Sequence, residues 1–166
     1  MKKKILYVLL IGTIVLNVSA CGNKKEEKSL DGSFSITCTG KNPKENGIVQ
    51  EANVVYNFGK DQYLTSYELT TVSKFDDSKT YKYYKKSSEE TAKNNSESSI
   101  TYNVKGNDKK KELTFGYKVT INREDLDAEE NKTYYKAINV LKRSEDSKQS
   151  SYSKCTVKGI KRNKLR

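Results

Sequence analysis

Apolar and polar residues alternate along much of this chain, and the alternation predicts strands. Residues 33–40 place Phe34, Ile36 and Cys38 on one side and Ser35, Thr37 and Thr39 on the other, the period of a half-buried strand. Lys41 to Gly47 holds the single proline and reads as a loop. Val54, Tyr56 and Phe58 alternate with Val55 and Asn57. A turn at Gly59-Lys60-Asp61 then leads into Tyr63, Thr65, Tyr67, Leu69, Thr71, Ser73 and Phe75 on one side of a long strand. Two such runs around a turn predict a hairpin. A second hairpin repeats the logic: Ile100, Tyr102 and Val104 alternate, Gly106-Asn107-Asp108 turns the chain, and Leu113, Phe115, Tyr117, Val119 and Ile121 alternate on the return. Tyr152 to Ile160 reads as a last short strand carrying Cys155 and Val157. Thr114, Lys118 and Thr120 fall on the opposite side, so the pattern predicts an antiparallel sheet with one covered face.

Two segments follow a helical period instead. Asp76-Asp77-Ser78 caps a helix beginning near Lys79, with Tyr81, Tyr84, Ser88 and Ala92 as its inner stripe and Asn94 to Ser99 ending it. Asp125 to Lys142 reads as a second helix. Asp125, Asp127, Glu129 and Glu130 load its amino end, and Lys142 and Arg143 close it, as the helix dipole favours. Tyr134, Ala137, Ile138 and Leu141 make its apolar stripe. The expected fold class is α+β: a mostly antiparallel sheet of about six strands with two helices packed on it. The acid clusters lack the glycine and ligand spacing of a calcium loop, so helix capping accounts for them better than metal binding.

The amino terminus reads as an address. Met1-Lys2-Lys3-Lys4 is a positive region, and Ile5 to Val15 is an apolar run too short for a comfortable membrane span. Small residues follow, as in a secretory signal peptide. Val18-Ser19-Ala20-Cys21 resembles the bacterial lipobox. That resemblance implies cleavage before Cys21 and a diacylglyceryl group on its thiol, and two acyl chains anchor stably where one is marginal. The alternative is an uncleaved anchor helix with an incidental cysteine. Residues 1–20 are thus read as a lipoprotein signal peptide, 21–32 as the lipidated cysteine and a polar tether, 33–160 as one domain, and 161–166 as a basic tail. The location that follows is the extracytoplasmic face of the cell membrane.

Composition narrows the function classes. The 166 residues include 12 Tyr, three Cys, no His and no Trp. Without histidine there is no His-based catalysis and no His metal site. No nucleophile elbow or supported Ser-x-x-Lys box is present either, so no cofactor and no enzymatic activity are expected. With Cys21 assigned to lipid, Cys38 and Cys155 remain as a disulfide candidate tying the first strand to the last. The chain-entropy model gives such a long loop roughly 4–5 kcal/mol as an upper figure. Two small buried thiols are the other reading.

These pieces together resemble the small YehR-like bacterial lipoproteins. The resemblance is carried by the lipobox, the tether, Thr37-Cys38-Thr39, Gln62 to Phe75, Ser99 to Asn122, Asp125-Leu126 and Lys154-Cys155. It covers most of residues 20–160 and implies an α+β domain, a cell-envelope location and no established activity. The chain departs from the family in its loops and in the basic stretch Lys158 to Arg166.

The formal charge of +11 falls to +8 when Lys2, Lys3 and Lys4 leave with the signal peptide. Lys158, Lys161, Arg162, Lys164 and Arg166 crowd the carboxyl end without an acid, and Lys109-Lys110-Lys111 sits at a hairpin turn. These are candidate contacts for anionic lipid or wall polymer. A merely solvated lysine-rich surface is the plain alternative. Nucleic acid is not expected, because lysines outnumber arginines 28 to 4 and base and phosphate readers favour the arginine fork. Tyr81, Tyr83 and Tyr84 cannot all face a core, so an exposed aromatic able to stack a sugar or peptide is expected among them, although strand-spaced tyrosines are usually core. The leading function class is therefore a binding or interaction module of the cell envelope with a protein partner still to be identified. The runner-up is a solute-binding accessory of a transporter, which would need a deep polar pocket.

Overall fold

The computed structural model describes residues 33–95, 97–122, 124, 133–146 and 154–165. Six strands are present, β1 (Phe34–Glu45), β2 (Ile48–Phe58), β3 (Leu64–Phe75), β4 (Ile100–Asn107), β5 (Glu112–Thr120) and β6 (Lys154–Lys158), with helices α1 (Ser78–Asn94) and α2 (Ala137–Asp146). They form one sheet in the order β4-β5-β3-β2-β1-β6, and every neighbouring pair is antiparallel. The fold is α+β, as the alternation predicts. β3 and β4 both run against β5, so they point the same way, and the chain between them must cross the sheet. α1 lies in that crossing. By the same count β5 and β6 run parallel to each other, and α2 lies in the connection between them.

Register fixes which face is covered. Ile36 pairs with Tyr56, Tyr56 with Tyr67, Tyr67 with Val119 and Val119 with Ile100, so these side chains share one face. Ile36, Phe58, Leu69, Phe75, Leu113 and Phe115 are buried on it. α2 covers one half, where Ala137, Val140 and Leu141 pack with Phe34, Ile36, Cys38, Phe58, Leu64 and Leu165. Phe34 and Phe58 stack there with ring centroids 5.0 Å apart. α1 covers the other half, where Tyr81 packs with Phe75 and Leu113. Its amino end is capped as expected: the Thr80 backbone N–H donates to Asp77 at 2.8 Å, and the Thr80 hydroxyl, together with this N–H, holds the Asp77 carboxyl below its usual range. Gly106 makes room for α1. A Cβ there would sit 2.5 Å from the Tyr81 hydroxyl oxygen. That hydroxyl donates to Asp108 at 2.5 Å, and Lys85 donates to the same carboxylate at 2.9 Å.

Several expected boundaries move. β1 continues through Lys41 to Glu45, where a loop was expected, although Pro43 lies in it. The pairing with β6 ends at Thr39 and the register with β2 shifts between Asn42 and Glu45, so the proline occupies a free edge beside an irregularity, where its missing N–H costs no ladder bond. Tyr63 and Thr65 do not share the inner side of β3: a register shift at Asn57/Phe58 places Leu64 in the core and leaves Thr65 exposed. The β4–β5 turn comes later than Gly106-Asn107-Asp108, at Asp108 to Lys111, with Lys111 at positive φ. The helix expected over Asp125 to Lys142 is interrupted, because Lys136 bridges to Tyr63. α2 starts only at Ala137 and runs on to Asp146; residues 125–132 lie outside the described residues. Val140 joins its buried stripe, whereas Tyr134 is exposed with Arg143 over its ring at 3.7 Å. β6 is Lys154–Lys158 and ends two residues before Ile160; Tyr152 and Ser153 lie outside the described residues.

Candidate functional site

The face away from the helices is where the fold leaves polar side chains in the open. Two of its rows cross all six strands. One runs Lys154, Thr39, Asn53, Thr70, Gly116, Asn103, and the next runs Thr156, Thr37, Val55, Glu68, Lys118, Thr101. Hydroxyls and amides dominate, and every side chain in the two rows is exposed or half-buried. At about 4.8 Å per strand the rows extend roughly 24 Å. Such a surface is flat, rich in donors and acceptors, and poor in apolar area.

One hollow interrupts the flatness. Gly116 has no side chain between Thr70 and Asn103, and the resulting depression of about 230 Å³ is lined by Glu68, Thr70, Thr101, Tyr102, Asn103, Gly116, Tyr117 and Lys118. The glycine is required, since a Cβ would come 2.9 Å from the Leu69 carbonyl oxygen. Glu68 and Lys118 are register partners, yet no ion pair joins them among the described residues. The hollow is smaller than the pockets of roughly 300–1,000 Å³ that enclose small ligands. The alternation of β5 shows that position 116 faces outward. The hollow itself depends on Thr70 and Asn103 lying beside it, which only strand pairing decides.

The covered face holds the tyrosines. Tyr56, Tyr67, Tyr117 and Tyr102 form a row between the two helices, with neighbouring ring centroids 6.2, 6.2 and 6.1 Å apart. Burial, with the neighbouring tyrosines adding to it, pushes the Tyr67 hydroxyl up to about 12. Burial also raises Tyr56, Tyr102 and Tyr117. These groups stay protonated near neutral pH and serve as packing with polar tips. Of the three tyrosines in Tyr81-Lys82-Tyr83-Tyr84 on α1, Tyr81 is buried and Tyr83 is 57% exposed.

The cysteines and the basic residues fall at particular places. Cys38 and Cys155 are register partners on β1 and β6, and their sulfurs are bonded at 2.11 Å. Cys21 and Arg166 lie outside the described residues. Lys158 ends β6, Lys161 precedes a short 3₁₀ turn, and Arg162 and Lys164 lie on that turn; Lys161, Arg162 and Lys164 are all exposed. The tail is fastened to the domain: Leu165 is buried in the α2 cluster, Gln62 donates to the Lys164 carbonyl at 3.1 Å, and Arg162 pairs with Glu145. Lys109 and Lys110 are exposed at the opposite end of the sheet. Asp76 pairs with Lys44 at 2.6 Å. Among the described residues no group of three or more His, Cys, Asp or Glu could hold a metal ion, and no helix is long and apolar enough to cross a membrane. No known protein family, characterised protein or solved structure matches this chain.

Proposed function

We propose that this chain is a bacterial lipoprotein of the YehR-like kind, anchored through a diacylglyceryl group on Cys21 and displayed outside the cytoplasmic membrane. Its work is binding rather than catalysis, and the bare sheet face is the binding surface. The observation that supports this reading is the pair of six-strand rows rich in Thr and Asn. A face left polar and uncovered, opposite one that carries both helices, suits a hydrophilic protein partner that docks by hydrogen bonds over a broad area. A solute-binding accessory needs an enclosed site, and the hollow at Gly116 gives that reading little support.

Two measurements test the proposal. Cells fed labelled palmitate should label the protein, and Cys21→Ser should abolish the label and release the protein from the membrane. Retention and labelling unchanged by that substitution would overturn the anchor. A photoreactive side chain at Asn103 or Thr39 should give one defined protein adduct on intact cells, whereas the same group at Tyr83 on α1 should not. Adduct formation that is equal at all three positions, or absent from the sheet face, would overturn the binding surface.

A further inference from the structure

The topology brings the two chain ends together. β1 begins and β6 ends at the same end of the sheet, since Ser35 pairs with Lys158. Immediately beyond, Gly159 packs against Ser33, and a Cβ there would lie 3.1 Å from the Ser33 carbonyl oxygen. The basic tail therefore sits beside the residue at which the chain leaves for Cys21. Eleven residues, Gly22 to Gly32, separate Cys21 from Ser33, so Cys21 can lie no farther than about 40 Å from Ser33. Lys60 is exposed at the same end, on the turn between β2 and β3.

We infer that this end of the domain docks on the membrane, with Lys158, Lys161 and Lys164 against anionic phospholipid headgroups. The inference rests on the lipid-anchor reading for its orientation. No acid pairs with Lys158, Lys161 or Lys164 among the described residues, and Glu145 is engaged by Arg162. Asp61 lies on the Lys60 turn and Glu124 follows β5. In sequence, Asp125, Asp127, Glu129 and Glu130 come next. β5 is four strands from β6, or about 19 Å, so the end of β5 lies beyond the screening length of about 8 Å at physiological salt; residues 125–132 lie outside the described residues. Lysines presented beside a tether are attracted to an anionic leaflet and turn a loosely leashed domain into an oriented one. With this end down, the Lys109–Lys110 end points away from the membrane, and the bare sheet face stands upright and accessible from the side.

The test uses the chain from residue 21 onward with Cys21→Ser, which keeps every strand and both helices. Vesicles of phosphatidylcholine are compared with vesicles that also contain phosphatidylglycerol. The expected result is at least tenfold stronger partition onto the anionic vesicles, lost at about 0.5 M salt where screening is short. The double variant Lys161→Glu/Lys164→Glu should lose at least tenfold, the milder Lys161→Gln/Lys164→Gln should lose less, and Lys109→Glu/Lys110→Glu should change partition by under threefold. No preference for anionic vesicles, or equal losses from the two ends, would overturn the inference. Displacement by a soluble glycerol-phosphate polymer at matched charge would overturn it in favour of a wall polymer. Acyl labelling of Cys21 is scored separately. Vesicle preference without labelling would overturn the anchor alone, and labelling without vesicle preference would overturn the docking alone.

Discussion

The two halves of the covered face reach a closed core by different means. Under α2 the buried residues come from almost the whole described chain, Phe34 to Leu165, and all nine are apolar. The half under α1 uses Phe75, Tyr81 and Leu113, which lie within one supersecondary unit, and the helix adds buried Ser88 and Thr91. The first half is built from distant contacts and held by a disulfide. The second is local and rests on one tyrosine whose hydroxyl reaches Asp108. A chain with few aliphatic residues thus concentrates them where loop closure costs most and lets tyrosine and hydroxyl side chains complete the rest.

That contrast predicts a graded set of losses. Ile36→Ala should cost the most, about 4 kcal/mol, because the side chain is fully enclosed and leaves a cavity. Its effect should add to that of Leu113→Ala within about 0.5 kcal/mol if the halves are independent. Urea unfolding followed by tyrosine fluorescence measures both, and strong non-additivity would merge the halves into one core. Replacing Cys38 and Cys155 together by alanine should cost about 3 kcal/mol and should release β6 and the tail before α1, as read by hydrogen exchange. Simultaneous loss of protection in α1 would break the comparison. Tyr81→Phe should cost less than either, since it removes one hydrogen bond to a solvent-exposed carboxylate, and should leave protection of β6 unchanged.

The last effect appears only at alkaline pH. The tyrosine row crosses the gap between the halves, and Tyr67 is pushed up to about 12 from an ordinary value near 10. A raised folded value means that the unfolded chain ionises first. Stability should therefore be intact below about pH 10 and should decline as pH rises toward 12. Absorbance titration should show the row ionising late, and Tyr67→Phe should soften the alkaline decline. A decline that begins well below pH 10 would point to other groups.

Much of this architecture is legible in the residue pattern. Alternation at Phe34-Ile36-Cys38 and along Leu113 to Val119 marks the covered face, and Asp77 marks the start of α1. What escapes the pattern depends on partners far along the chain. Pro43 sits in a strand because β6 stops short of it. Lys136 interrupts a helical period because Tyr63 pairs with it. The basic residues are plain in sequence, but their position beside Ser33 follows only from the β1–β6 pairing. The same holds for the bare face: Thr70, Gly116 and Asn103 form one row only once three strands are in register.

The span of the α2 cluster, from Phe34 to Leu165, also bears on timing. A chain emerging amino end first presents β1, β2 and β3 early, and α1 with its hairpin can follow. The other half has no partner for Ile36 and Phe58 until α2 appears, and no closing strand until Cys155 and the final residues arrive. Such contacts of high sequence separation form slowly. The first strand is thus obliged to remain open until the segment from Cys155 to Leu165 has arrived, which makes that segment the latch.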